Sequence, residues 1–309
     1  MAGTSVASLL EAQPSAPAPT AMFEGFKTAN IETKGATIHV VSGGQGPPLL
    51  LLHGYPETHV MWHKIAPRLA ADFTVVAADL RGYGDSSKPA DGENHFNYSK
   101  RAMAQDQVEV MSHFGFEKFA VVGHDRGGRV AHRMAMDHPD RVTKVAVLDI
   151  VPTYKLFHNV TKEFATAYYH WFFLIQPAPM PETLIGNSID FFMTRQFRAL
   201  MPAAVTPDAL AEYMRCFRNP ATIHAACEDY RAAASIDLEH DQADLDRKVA
   251  CPLLALWGER SPVHRMYDLP AVWRERAANV SGKPIPSGHY LPEEAPEPTL
   301  AALQAFLKS

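Results

Sequence analysis

The sequence predicts an α/β fold: a mostly parallel sheet with helices on both faces and an inserted helical cap. Three observations carry that prediction. Short apolar runs with the length and composition of buried strands recur at Thr37–Val41, Leu49–Leu52, Phe73–Ala78, Phe119–Val122, Lys144–Leu148 and Leu253–Trp257, separated by helical stretches. Such alternation favours parallel strands joined by crossover helices. The alternation then breaks after Asp149. From about Val151 to Leu245 the chain is aromatic-rich and reads as helices and loops, with helices expected at Phe164–Ile175 and Pro207–Phe217, until strand character returns at Leu253. Finally, one strand runs into a helix through the glycine-flanked turn Gly123-His124-Asp125-Arg126-Gly127.

The first 21 residues are rich in Ala, Pro and Ser and lack apolar periodicity, so ordered structure is expected from near Met22. They have no basic segment ahead of the short apolar stretch at Leu9 and Leu10, which argues against a signal peptide. Residues 22–150 and 246–309 are assigned to the sheet domain and 151–245 to the cap. Within the first half, Ser99–Phe114 places Met103, Val110, Met111 and Phe114 near one helical face, with Gly115 positioned to end the helix. The glycine-rich stretch Asp79-Leu80-Arg81-Gly82-Tyr83-Gly84-Asp85-Ser86 reads as a fold-stabilising turn, because no Lys-Ser/Thr phosphate-loop signature follows it.

At 309 residues, 47% hydrophobic and 20% charged, the composition is that of a globular protein. A formal net charge of -5 gives no reason to expect nucleic acid or an anionic membrane as partner, and requires any anionic substrate to be attracted by local cations. No uninterrupted apolar run approaches the roughly 20 residues of a membrane span. Cys216, Cys227 and Cys251 form neither a disulfide framework nor a metal-ligand cluster, which fits a reducing, cytoplasmic compartment.

The turn at 123–127 follows the apolar strand Phe119–Val122 and precedes a helix carrying Val130, Ala131 and Met134. It matches the G-x-S-x-G nucleophile elbow with Asp125 in place of Ser. An aspartate there could simply cap the helix. As a nucleophile it would attack saturated carbon and leave an alkyl-enzyme ester, which water must then cleave with help from a base and an oxyanion hole. His289, in Ser287-Gly288-His289-Tyr290-Leu291 after an expected last strand, has the position of that base. Asp149, at the end of Lys144–Leu148, is the preferred acid to orient it. Glu259, in Gly258-Glu259-Arg260-Ser261-Pro262, is the rival. The turn His53-Gly54-Tyr55-Pro56 would supply one oxyanion donor from the Tyr55 backbone and the elbow a second from the Arg126 backbone, leaving the His53 and His124 side chains structural roles.

With these residues in view, the chain from about Met22 onward resembles the α/β-hydrolase superfamily. Within that superfamily it resembles the fluoroacetate (haloacetate) dehalogenases, through Asp125-Arg126-Gly127-Gly128-Arg129. Related haloalkane dehalogenases and epoxide hydrolases commonly carry Trp after the nucleophile, where this chain has Arg126. The resemblance implies that Arg126 and Arg129 grip a substrate carboxylate, two guanidinium forks presenting its α-carbon to Asp125. It further implies that His170 and Trp171, within Tyr168-Tyr169-His170-Trp171-Phe172-Phe173, bind the departing halide together with a cap tyrosine. Tyr230 is the best match for that tyrosine, with Tyr154, Tyr168, Tyr169 and Tyr213 as competitors. The implied reaction converts a haloacetate to glycolate and halide without metal or organic cofactor, in a homodimer. An epoxide hydrolase is the alternative, since the cap has tyrosines able to protonate an epoxide oxygen, but it leaves Arg126 and Arg129 unexplained. A non-catalytic binding protein would have no need of the nucleophile, acid and base together.

Overall fold

The computed structural model describes residues 22–197 and 204–309, so the expected N-terminal extension, 1–21, lies outside the described residues. Eight strands form one sheet: β1 (Lys27–Glu32), β2 (Thr37–Gly43), β3 (Pro48–Leu52), β4 (Thr74–Ala78), β5 (Phe119–His124), β6 (Val142–Leu148), β7 (Leu253–Gly258) and β8 (Val280–Ile285), in the order β1-β2-β4-β3-β5-β6-β7-β8. β2 runs antiparallel to β1 and β4, while β3 to β8 are mutually parallel. The central strands are largely apolar because helices cover both faces; Leu49 to Leu52 of β3 are each fully buried. Truncating any of those leucines to Ala would cost roughly 2–5 kcal/mol.

β3 pairs with β4 on one side and β5 on the other, so the chain reverses its winding direction there. Crevices beyond the carboxyl ends of strands at such a point are where open α/β sheets bind ligands. Asp125 follows β5 directly.

The sequence gives little warning of β1. Its residues Lys-Thr-Ala-Asn-Ile-Glu bury only Ile31, as suits an edge strand with most of its side chains toward water. The helix expected near Ser99–Phe114 spans Lys100–His113. The Ser99 hydroxyl caps it by accepting from Ala102 N at 3.1 Å, and Gly115 ends it with φ of 78°.

Between Val151 and Leu245 the described residues form helices and loops, with no strand. One expected helix, Phe164–Ile175, is two: Lys162–Ala167 and Tyr169–Leu174 meet at Tyr168, whose φ of -112° and ψ of 39° lie outside helical values. The longest cap helix, Pro220–Ala234, begins with its proline in the first turn and the Asn219 side chain accepting from Ala221 N. No helix of the described residues is long and apolar enough to cross a membrane.

Candidate active site

The elbow is held by close backbone packing. Asp125 opens the helix Asp125–Asp137 with φ of 42°, in the left-handed region that costs a residue with a Cβ. A Cβ on Gly123 would sit 2.3 Å from Gly127 O, and one on Gly127 would sit 2.4 Å from His53 O. Glycine at both positions lets the turn stay tight, which leaves the Asp125 carboxylate at the carboxyl end of the central strands. There its Oδ2 accepts from the Tyr55 backbone N at 3.2 Å, the contact expected of an oxyanion donor.

Burial alone would raise the pKa of Asp125. His289, Arg129, His124 and Arg126 outweigh it and hold the carboxyl below its usual range. The group is therefore an anion at neutral pH.

His289 Nδ1 lies 2.6 Å from Asp149 Oδ2, while Glu259 is exposed at the surface. Asp149 is itself fixed: Oδ1 accepts from Gly258 N at 2.9 Å and Oδ2 from Ser261 Oγ at 2.6 Å. Its φ of 55° turns the carboxylate toward the histidine loop. Burial lowers the His289 pKa, but the Asp149 hydrogen bond, the Asp149 charge and the Asp125 charge together push it up to about 9.

A cavity of about 500 Å³ opens onto these groups, lined among others by Tyr55, Asp125, Tyr168, His170, Trp171 and His289. His170 stacks at 5.9 Å on Tyr55, and Tyr230 meets Tyr55, His170 and Trp171 edge-on at 5.3, 5.8 and 5.6 Å between ring centroids. Burial lowers the His170 pKa to about 4, so its neutral ring offers a single N–H. The hydroxyls of Tyr55, Tyr168 and Tyr230 are all buried without a partner. Among the competitors of Tyr230, Tyr213 donates to Glu293, Tyr169 is largely exposed, and Tyr154 stacks on His158.

The two arginines lie behind this aromatic layer, with the Arg129 guanidinium 4.6 Å from the Trp171 ring and that of Arg126 4.1 Å from the Tyr230 ring. Their environments differ. Arg126 Nε and Nη2 donate to the Asp229 carboxylate at 2.9 and 2.6 Å, and Nη2 also to the Asp229 carbonyl at 2.7 Å. Its fork is thus occupied by protein, which corrects the expectation of two open forks: only Nη1 is left, buried and unpartnered. Arg129 Nη1 donates to Val151 O at 2.9 Å and Thr153 Oγ1 at 3.0 Å, while Nε has no partner. No carboxylate of the described residues forms a salt bridge with Arg129. Burial pushes its pKa down to about 10 despite the nearby Asp125 charge.

Sequence reasoning missed Asp229. It is fully buried, binds Lys100 as well as Arg126, and accepts from the Tyr83 hydroxyl at 2.6 Å. Its one sequence signal is its place beside Tyr230. The glycine-rich loop is structural, as expected: Asp79 Oδ1 accepts from His59 N and Nδ1, and its Oδ2 from Asp85 N. His53 Nε2 accepts from Leu80 N at 3.0 Å. Two groups, His39, His59 and Asp79, and Asp91, His224 and Glu228, have spacings compatible with a cation, but none of the six residues lines the cavity.

The chain belongs to the α/β-hydrolase fold family, which it matches over residues 47–296, and it is a hydrolase. It is 48% identical over 289 residues to the fluoroacetate dehalogenase of Burkholderia sp, covering 93% of this chain and 95% of that one. It is 35% identical to the soluble epoxide hydrolase of Corynebacterium sp. strain C12, over 85% of this chain and 91% of that one. The crystal structure of ALR0039 from Nostoc sp PCC 7120 superposes with a TM-score of 0.91 at 61% identity, covering 92% of this chain and 99% of that one.

Proposed function

We propose that this protein hydrolyses haloacetates to glycolate and halide through an ester on Asp125. The observation that carries the reading is Arg129: a buried guanidinium beside the nucleophile, with an unpartnered Nε and no salt bridge to a carboxylate of the described residues. A buried cation left uncompensated is costly. A substrate carboxylate would supply its counter-charge and also take the free Nη1 of Arg126.

With the carboxylate held there, the α-carbon faces Asp125. One carboxylate oxygen forms a bond to that carbon as the carbon–halogen bond breaks, and the electron pair leaves with the halide. Donors from neutral His170, Trp171 and Tyr230 replace the water that a departing anion, fluoride above all, would otherwise need. Attack at the far side inverts the carbon. Water then adds to the Asp125 carbonyl carbon while His289 Nε2 takes its proton, and backbone N–H groups of Tyr55 and Arg126 receive the developing oxyanion. Collapse releases glycolate and restores the carboxylate. Esterification also removes the Asp125 charge, one of the interactions that raise the His289 pKa, so His289 gives up its proton more readily at the step that needs a base.

A second reading, epoxide opening on the same nucleophile, is favoured by the buried, unpartnered hydroxyls of Tyr55, Tyr168 and Tyr230 and by the Corynebacterium relative. Halide release from fluoroacetate and chloroacetate, with Asp125→Asn as control and styrene oxide as competing substrate, decides between them. Halide release abolished by the mutant supports the dehalogenase; turnover of the epoxide alone replaces it.

A further inference from the structure

The residue before the nucleophile does not itself line the cavity, yet it is built into the back of the site. His124 is fully buried. Its Nε2 lies 2.8 Å from the backbone O of His289, 165 residues away, and its Nδ1 lies 3.0 Å from Glu57 Oε2. A carbonyl oxygen only accepts, so Nε2 donates to His289 O, and the Glu57 carboxylate oxygen, likewise an acceptor, takes the Nδ1 hydrogen. The His124 ring also packs on the His289 ring at 4.6 Å and on Tyr290 at 5.7 Å between centroids.

Glu57 is equally buried and comes from the turn after β3, so three separate parts of the chain converge on this ring. The Glu57 carboxylate neighbours Glu293, whose pKa is driven well up by burial and by Glu57 itself and whose Oε1 accepts from the Tyr213 hydroxyl at 2.9 Å. His289 is thus held at two points: Asp149 fixes its ring at Nδ1, and His124 fixes its backbone and one ring face. A histidine carried on a loop, with a quarter of its side chain open to the cavity, needs the second hold to keep Nε2 aimed at the ester.

We propose that His124 and Glu57 are positioning residues for the base, and that they act on ester hydrolysis and not on halide displacement. This inference rests on the reading of Asp125 as nucleophile and His289 as base. The argument for step selectivity is geometric. Displacement uses the groups around the substrate and the Asp125 carboxylate, which His289, Arg129 and Arg126 still hold ionised without His124. The His124 hydrogen bond reaches the chemistry through His289, which serves as base in hydrolysis alone. A general loosening of the fold would slow both steps.

The test is pre-steady-state turnover of chloroacetate by His124→Phe and Glu57→Gln, read by the halide burst and by intact-protein mass, with wild type and His289→Ala alongside. The phenylalanine keeps the ring and removes both hydrogen bonds. The glutamine keeps the shape and weakens the hold on Nδ1, and it carries the test should His124→Phe fail to fold. The expected result is a burst near one halide per site at close to the wild-type rate. Steady turnover then falls on the order of 10- to 100-fold, as a small misplacement of a catalytic group produces, with the glycolyl ester accumulating on Asp125. Burst and steady state falling together, with no ester, would overturn the inference while a His289→Ala adduct left the functional reading standing. No halide from wild type, or no adduct in His289→Ala, would remove that reading and this inference with it.

Discussion

Replacing Arg129 by Met separates a residue kept for substrate from one kept for folding, because the first role predicts a loss of activity at nearly constant stability and the second a loss of stability. The guanidinium is buried and its pKa sits at about 10 against an ordinary 12.5. That difference corresponds to roughly 3 kcal/mol of unfavourable environment for the cation. Against it stand the bonds to Val151 O and Thr153 Oγ1 and the contact with Trp171. Bonds of this charged kind contribute roughly 1.5–3 kcal/mol each. The terms nearly cancel, and Met fills much of the same volume, so the folding free energy should move by no more than about 1–2 kcal/mol. Catalysis should not be spared: losing the charge-assisted bonds to the substrate carboxylate removes roughly 3 kcal/mol of transition-state binding, about a hundredfold in kcat/KM. Urea unfolding of both proteins gives the first number. The second comes from kcat/KM on chloroacetate compared with chloroacetamide, a neutral substrate of similar shape. Destabilisation beyond 3 kcal/mol, or equal losses on the acid and the amide, would refute the argument.

Three further expectations follow from the same geometry. The pKa of His289 is raised to about 9 in the free protein, so its stabilising contribution is fully present below the unfolded value near 6.5 and is lost as pH rises through 9. The stability gap between wild type and His289→Ala should therefore shrink over that window, and the midpoint of kcat, if hydrolysis limits, should lie below 9 because the ester lacks the Asp125 charge; a flat gap or a higher midpoint contradicts this. Asp229→Asn leaves Arg126 and Lys100 short of their buried counter-ion, and a fall of roughly 3–5 kcal/mol in unfolding free energy with a raised KM for haloacetates is expected. Tyr55→Phe removes an unpartnered hydroxyl from the cavity wall and should lower fluoroacetate turnover more than chloroacetate turnover, since fluoride demands more donors; an unchanged ratio of the two kcat/KM values would exclude the phenol from the halide pocket.

Much of the fold is readable in the chain because its central strands are buried on both faces and therefore mostly apolar, as β3, β5 and β7 are. β1 escapes notice for the converse reason: an edge strand with one buried residue has almost no apolar signal. The helix break at Tyr168 is likewise silent, since neither Pro nor Gly marks it. At the site, the local motif around Asp125 is legible because tight turns constrain residue type. The carboxylate that occupies Arg126 is 103 residues away, and only the packing of the cap on the elbow helix brings them together. A sequence can show that two arginines stand near a nucleophile, but it cannot show how many of their N–H groups are already spent.

The Asp229 anchorage bears on how a substrate gets in. Asp229 lies on the cap helix Pro220–Ala234, and its partners Arg126, Lys100 and Tyr83 all belong to the sheet domain. Swinging this helix away would strip a buried carboxylate from two cations and a phenol at once, far too costly to repeat at every turnover. The helix is pinned here, so substrate entry cannot depend on its swinging away. Arg195, Gln196, Arg260 and Glu294 line the same cavity as Asp125 and His289. A cavity of about 500 Å³ whose roof cannot swing clear admits only acids that fit it, so selection by size would be a property of the packing and not of the chemistry.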